Sequence, residues 1–209
     1  VGSGTSPEVV LDTGAGVAAD AFGSRLRYAA SSMANLDGPG GEGKRRPNQP
    51  GFHAGLVLDG RYRLERPLAE GGMGSVWVAH QITLEREVAV KVLRVAAGPA
   101  RARLQREALS LAAVHHPAIV EIYDYGETAE GTPYLVMELV RGETVGARLH
   151  REGALPTQAA VALVLPLLEG LAVAHEAGVV HRDIKPDNVV LTAGATGVSP
   201  KLLDFGIAR

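Results

Sequence analysis

The 209-residue chain contains no cysteine. Disulfides and thiolate metal sites are therefore excluded, and the absence agrees with a cytoplasmic setting. Aromatic residues make up only 4% of the chain, so its core must be built from Ala, Val and Leu. A surplus of charge is also missing. The 21 basic and 23 acidic residues leave a net charge of −2, which gives no sequence-independent pull toward nucleic acid or an anionic membrane. Long apolar runs are lacking as well: the richest, residues 159–174, is interrupted by Pro166, Glu169 and Gly170 and falls short of the ~20 residues that span a bilayer. No membrane segment is expected within the chain. The opening residues have no basic start followed by an apolar stretch, so no secretory signal is read there. The chain begins with Val and stops after Arg209, and both ends read as cuts. What is present, 46% apolar and 21% charged residues, suits a globular protein with a core.

Residues 1–55 are rich in Gly, Ser, Ala and Pro and read as a disordered, low-complexity segment. Within them, residues 17–33 could form a short helix with Ala18, Phe22, Leu26 and Ala29 on one side. Lys44-Arg45-Arg46 reads as part of a solvated linker rather than a docking patch. From residue 56 the texture changes. Residues 62–65 alternate apolar and polar side chains, as a half-buried strand does. Gly71, Gly72 and Gly74 then separate them from a second strand at residues 76–79, which predicts a hairpin. A third strand follows at residues 87–93, and no helix divides the three, so an antiparallel sheet is expected. Residues 101–114 have helical spacing, with Leu104, Ala108, Leu111 and Ala112 on one face. Two more strands, residues 119–125 and 134–139, complete a small lobe of five strands and one helix.

Beyond Arg141-Gly142 the pattern is helical, with a short helix at residues 144–150 and a long one at 157–177 closed by Gly178. Pro166 inside the long helix would cost about 3 kcal/mol if the helix were straight, so a kink is expected there. Residues 189–191 and 201–203 read as a hairpin around a loop at 192–200. The remaining histidines, His53, His80, His115, His116, His150 and His175, show no zinc-ligand spacing and read as structural or exposed.

Four stretches carry candidate chemistry. The first is Leu68-Ala69-Glu70-Gly71-Gly72-Met73-Gly74-Ser75-Val76, a hairpin turn poor in side chains, which lets backbone N–H groups approach phosphate oxygens. The second is Val88-Ala89-Val90-Lys91, a lysine on a strand just after that turn, with Val88 and Val90 expected on its own side. The third is His181-Arg182-Asp183-Ile184-Lys185-Pro186-Asp187-Asn188, a polar loop between apolar flanks, of the kind that presents catalytic groups from a rigid scaffold. Asp204-Phe205-Gly206 follows sixteen residues after Asn188, across the second hairpin.

Together and in this order, these stretches resemble the protein kinases over residues 62–209; the lysine and proline at 185 and 186 resemble the serine/threonine members, and the composition and style of the motifs look most like the bacterial ones. The resemblance implies an α+β fold: an ATP-binding N-lobe at residues 56–138 with a five-stranded antiparallel sheet and one helix, then a hinge and a truncated, mainly helical C-lobe at 139–209. It implies ATP and Mg²⁺ as cofactors and a protein Ser/Thr hydroxyl as acceptor. Asp183 would orient the acceptor hydroxyl, and Lys185 would neutralise charge on the transferred group. Asn188 and Asp204 would hold Mg²⁺. Residues 68–76, Ala89 and Lys91 would meet the nucleotide, and Glu107 would pair with Lys91. Met137, Glu138 and Val140 would form the adenine hinge. Ala69 stands where the family places its first loop glycine. His181 reads as structural, and Arg182 resembles the arginine that pairs with a phosphorylated activation loop. The 209 residues alone are expected to be inactive, within an active, cytoplasmic parent that a membrane tether could hold. The alternative is a nucleotide-binding pseudokinase scaffold, which such residues as Lys91, Glu107, Asp183, Asn188 and Asp204, all present, argue against.

Overall fold

The computed structural model describes residues 51–71, 74–94, 98–194 and 197–205. The expected helix at 17–33 and the basic triplet lie outside the described residues, as do Gly72, Met73 and Gly206. The first lobe is built on six strands: β1 (Val57–Leu58), β2 (Tyr62–Gly71), β3 (Gly74–Gln81), β4 (Arg86–Leu93), β5 (Ile122–Glu127) and β6 (Pro133–Met137). They form one antiparallel sheet in the order β1-β2-β3-β4-β6-β5. Five of these strands match the sequence expectation; the two-residue β1 extends the edge. Helix α1 (Pro99–Ala112) buries Leu104, Ala108 and Leu111 against the sheet.

The sheet separates two apolar clusters, and strand periodicity decides which residue joins which. On β4, Val88, Val90 and Val92 point to the outer cluster with Tyr62, Leu64, Trp77 and Tyr134. Ala89 and Leu93 point to the inner cluster with Leu104, Leu135 and Phe205. Side chains alternate across a strand, so Lys91 shares the inner face with Ala89 and Leu93. The expected placement of Val88 and Val90 beside it is corrected on that ground. The outer face is further held by polar bonds: the Tyr62 hydroxyl donates to Asp124 at 2.8 Å, Arg61 pairs with Asp124 at 2.7 Å, and the Tyr134 hydroxyl donates to Asp59.

The β2–β3 hairpin closes at Gly71 and Gly74. Gly74 has φ of 141°, and a Cβ there would run into the Val92 carbonyl oxygen of the neighbouring strand. Gly74→Ala is expected to destabilise the fold by about 2–4 kcal/mol, from left-handed strain and backbone collision together. Chemical denaturation reads this directly; a change under about 0.5 kcal/mol would contradict it.

The second lobe contains β7 (Glu143–Thr144), α2 (Val145–Glu152), α3 (Thr157–Glu176) and the hairpin β8 (Val189–Gly194) and β9 (Gly197–Leu202). The Thr144 side chain caps α2 by accepting from the Ala147 N–H at 3.0 Å. The hairpin strands pair to Gly194 and Gly197, so the expected nine-residue loop is mostly strand. Helix α3 is continuous across Pro166. It is 20 residues long, and an 18-residue window within it has a mean hydropathy of 1.7, so by length and composition alone one stretch passes the test for a membrane span that no stretch was expected to pass. Pro166, Glu169 and Gly170 do not interrupt it; all three sit inside one helix. Its Gly170, Leu171 and Ala174 edge is buried, with Gly170 against His116 and Ile119. Val164 and Leu168, elsewhere on the helix, are exposed. The lobes are joined by a parallel bridge between Ile119 and Leu202 and by bonds from Val120 N–H to Leu202 O (3.0 Å) and Leu202 N–H to Ala118 O (2.8 Å).

Candidate active site

The loop at 181–188 is positioned by its own side chains and by β9. His181 is 1% exposed; its Nε2 bonds the Leu203 carbonyl at 2.7 Å, and its ring lies 4.6 Å from that of Phe205. Its Nδ1 accepts from the Asp183 N–H at 3.2 Å. With one nitrogen accepting and the other on a carbonyl, the ring is held in the neutral Nε2–H form. Arg182 follows in a left-handed conformation, φ 64°, and Asp204 adopts another, φ 52°. Non-glycine residues take up such conformations where the surroundings impose them, and these two flank the candidate chemistry.

Asp183, Lys185 and Asn188 converge. Lys185 Nζ is 3.0 Å from Asp183 Oδ2, and Asn188 Nδ2 donates to the Asp183 carbonyl at 2.7 Å and to Oδ2 at 3.1 Å. A short 3₁₀ turn, Pro186–Asn188, presents the asparagine. The Leu203 N–H donates to the Asn188 carbonyl at 2.8 Å, which ties the loop to the residue before Asp204. Asp204 Oδ1 meets Lys91 Nζ at 2.6 Å, with side chains 14% exposed for Lys91 and 26% for Asp204.

The expected Lys91–Glu107 pair is not formed. Glu107 instead accepts from Arg103 and Arg182, each at 3.1 Å. The spacing that puts Glu107 beside the buried Ala108 selects the helix face but not the helix's rotation against β4, and that rotation decides which cation it meets. Arg182, expected to await a phosphorylated loop, holds this carboxylate.

Beside this cluster a cleft opens between the lobes. Among the expected nucleotide residues, Leu68, Val76, Ala89, Met137, Glu138 and Val140 line it, with Asp204 at one end. Ala69, Glu70, Gly74 and Ser75 instead border a separate depression on the outer side of the sheet. The sequence reading missed Val120, Val190 and Leu203, which also line the cleft. Val190 lies on β8, while Val120 and Leu203 lie outside the strands, and their bland apolar types gave them no chemical meaning. At the hinge, the Glu138 N–H donates to the Glu121 carbonyl at 2.9 Å. Among the described residues, no protein hydrogen bond uses the Glu138 carbonyl or the Val140 N–H.

A protein kinase domain model matches residues 62–209. The chain belongs to the protein kinase family. The chain is 49% identical over 158 residues to the serine/threonine-protein kinase pkn2 of Myxococcus xanthus, covering 74% of this chain and 19% of that protein. It is 46% identical over 162 residues to PknA of Mycobacterium tuberculosis, covering 74% of this chain and 37% of that protein. The chain thus spans well under half the length of these relatives. Among solved structures, the kinase domain of Mycobacterium tuberculosis PknI is 34% identical with a TM-score of 0.66, covering 76% of this chain and 64% of that one. This kinase-family chain therefore has the protein-kinase fold, with a β-rich lobe carrying one helix and a partial helical lobe.

Burial lowers the His181 pKa, with the Leu203 carbonyl bond opposing the shift. The folded state therefore refuses a proton that the unfolded chain accepts. His181 leaves stability unaffected above about pH 6.5 and subtracts from it as pH falls below that value, by up to about 1.4 kcal/mol per pH unit. Melts at pH 7.5 and 5.5 should show a larger loss for the wild type than for His181→Asn; equal losses would contradict a neutral buried ring.

Proposed function

We propose that the whole protein containing this chain is an ATP-dependent serine/threonine protein kinase, moving the γ-phosphate to a protein hydroxyl. The observation that carries the reading is the stitched cluster of Asp183, Lys185 and Asn188, bonded through Leu203 to Asp204 and Lys91 beside the cleft. The apolar cleft walls suit a purine, and the Glu138 carbonyl and Val140 N–H supply a complementary acceptor and donor pair. Asp183 orients the acceptor hydroxyl, while Lys185 and Lys91 balance negative charge on the phosphates.

The donor set also suits Mg²⁺. Asn188 uses its Nδ2 on Asp183, which turns the amide Oδ1 free of that bond, and Asp204 adds a carboxylate. Two hard oxygen ligands completed by phosphates match how Mg²⁺ is held in such sites. When bound, the ion would neutralise phosphate charge. We place the N-lobe at residues 56–138, the hinge and partial C-lobe at 139–209, and the domain in the cytoplasm, with tethering of the parent left compatible. The test is transfer of labelled γ-phosphate from ATP with Mg²⁺ to a generic protein substrate by the full-length protein. Phosphoserine or phosphothreonine is the expected product. Mg²⁺-indifferent ATP binding without transfer would overturn the reading in favour of a pseudokinase scaffold.

A further inference from the structure

We propose that Lys201 is a positioning residue for the nucleotide: by pairing with Glu138 it fixes the hinge backbone that reads the purine edge. The inference rests on the proposed ATP site. Lys201 Nζ lies 2.6 Å from Glu138 Oε2, with side chains only 16% and 29% exposed. That shelter separates it from pairs such as Arg151–Glu143 and Arg103–Glu107, in which the arginine is more than half exposed. Exposed pairs contribute little, whereas a sheltered carboxylate that loses its cation must reorganise or stay uncompensated.

Position gives the pair its consequence. Glu138 is the first residue after β6 and lines the cleft. Its N–H is anchored on the Glu121 carbonyl and its side chain on Lys201, so this hinge residue is held at two points. Lys201 sits on β9 opposite Val190, itself a cleft residue, and next to Leu202, which bonds the 118–120 segment in both directions. Three residues later on the same stretch comes Asp204. One short strand thus connects the purine end of the cleft with its phosphate end.

Adenosine and ADP titrations of the full chain by NMR or calorimetry test this. Lys201→Met is expected to weaken both ligands by about tenfold, because the affected contact lies at the base they share. Lys201→Arg should recover affinity to within about twofold. In a Glu138→Gln background the Lys201→Met change should cost less than about twofold. An equal loss in both backgrounds, or no loss in the single variant, overturns the inference. Wild-type protein that binds neither ligand sinks the ATP-site reading itself. Should Lys201→Met fail to fold, the reversed pair Glu138→Lys with Lys201→Glu decides: restored binding supports the inference, and lost binding in a folded double variant overturns it.

Discussion

Asp183→Ala in the full-length protein is expected to cut phosphoryl transfer by about a thousandfold while changing ATP affinity by less than about threefold. The carboxylate bonds Lys185 and Asn188 and does not line the cleft, so its loss falls on the reacting hydroxyl and not on the nucleotide. The loop should survive the change. Asn188 also donates to the Asp183 main-chain carbonyl at 2.7 Å, and the His181 ring accepts from the Asp183 N–H; alanine retains both bonds. Single-turnover rates and a separate ATP dissociation constant measure the two quantities independently. Equal losses in both would assign Asp183 to holding the loop and remove it from the chemistry.

The lobe built from strands was legible because its signals are local. Alternation at 62–65, glycines at the hairpin and proline after His116 each fix backbone conformation without distant partners. The loop at 181–188 was legible because its polar residues find one another within eight positions, and the structure brings Asp183, Lys185 and Asn188 together. The second hairpin was read too loosely. Gly194 and Gly197 invite a turn, but pairing of Thr192 with Ser199 and Ala193 with Val198 is set by cross-strand registry that propensity does not report.

Partners across the lobes were the hardest to read. Lys201 is a lysine on a short strand, which ordinarily faces water, and only the approach of the hinge gives it a carboxylate. Glu107 shows the same limit from the other direction. Its helix face follows from sequence periodicity, yet Lys91 and Arg182 compete for it from different lobes. A helix-face pattern has no term for that competition.

That competition sets the second large effect. Lys91→Met is expected to lower kcat by about a hundredfold or more, with a smaller rise in the KM for ATP, because misplaced phosphates bind but do not react. Glu107→Gln should reproduce at least about a tenfold part of that fall, although Glu107 does not touch Lys91 in this structure. The reason is the relative hold on each carboxylate. The Glu107 bonds to Arg103 and Arg182 involve arginines 53% and 43% exposed, and such pairs are each worth under about 1 kcal/mol. Lys91 and Asp204 are more sheltered, but the proposed site requires Asp204 for Mg²⁺, so Lys91 needs a second carboxylate. Glu107 is the one on the adjoining helix, and releasing it costs no more than about 2 kcal/mol, within what nucleotide binding can supply. Steady-state kinetics of the two variants and their double mutant measure the coupling. Additive losses, or a Glu107→Gln protein with unchanged kcat, would show that Lys91 works through Asp204 alone.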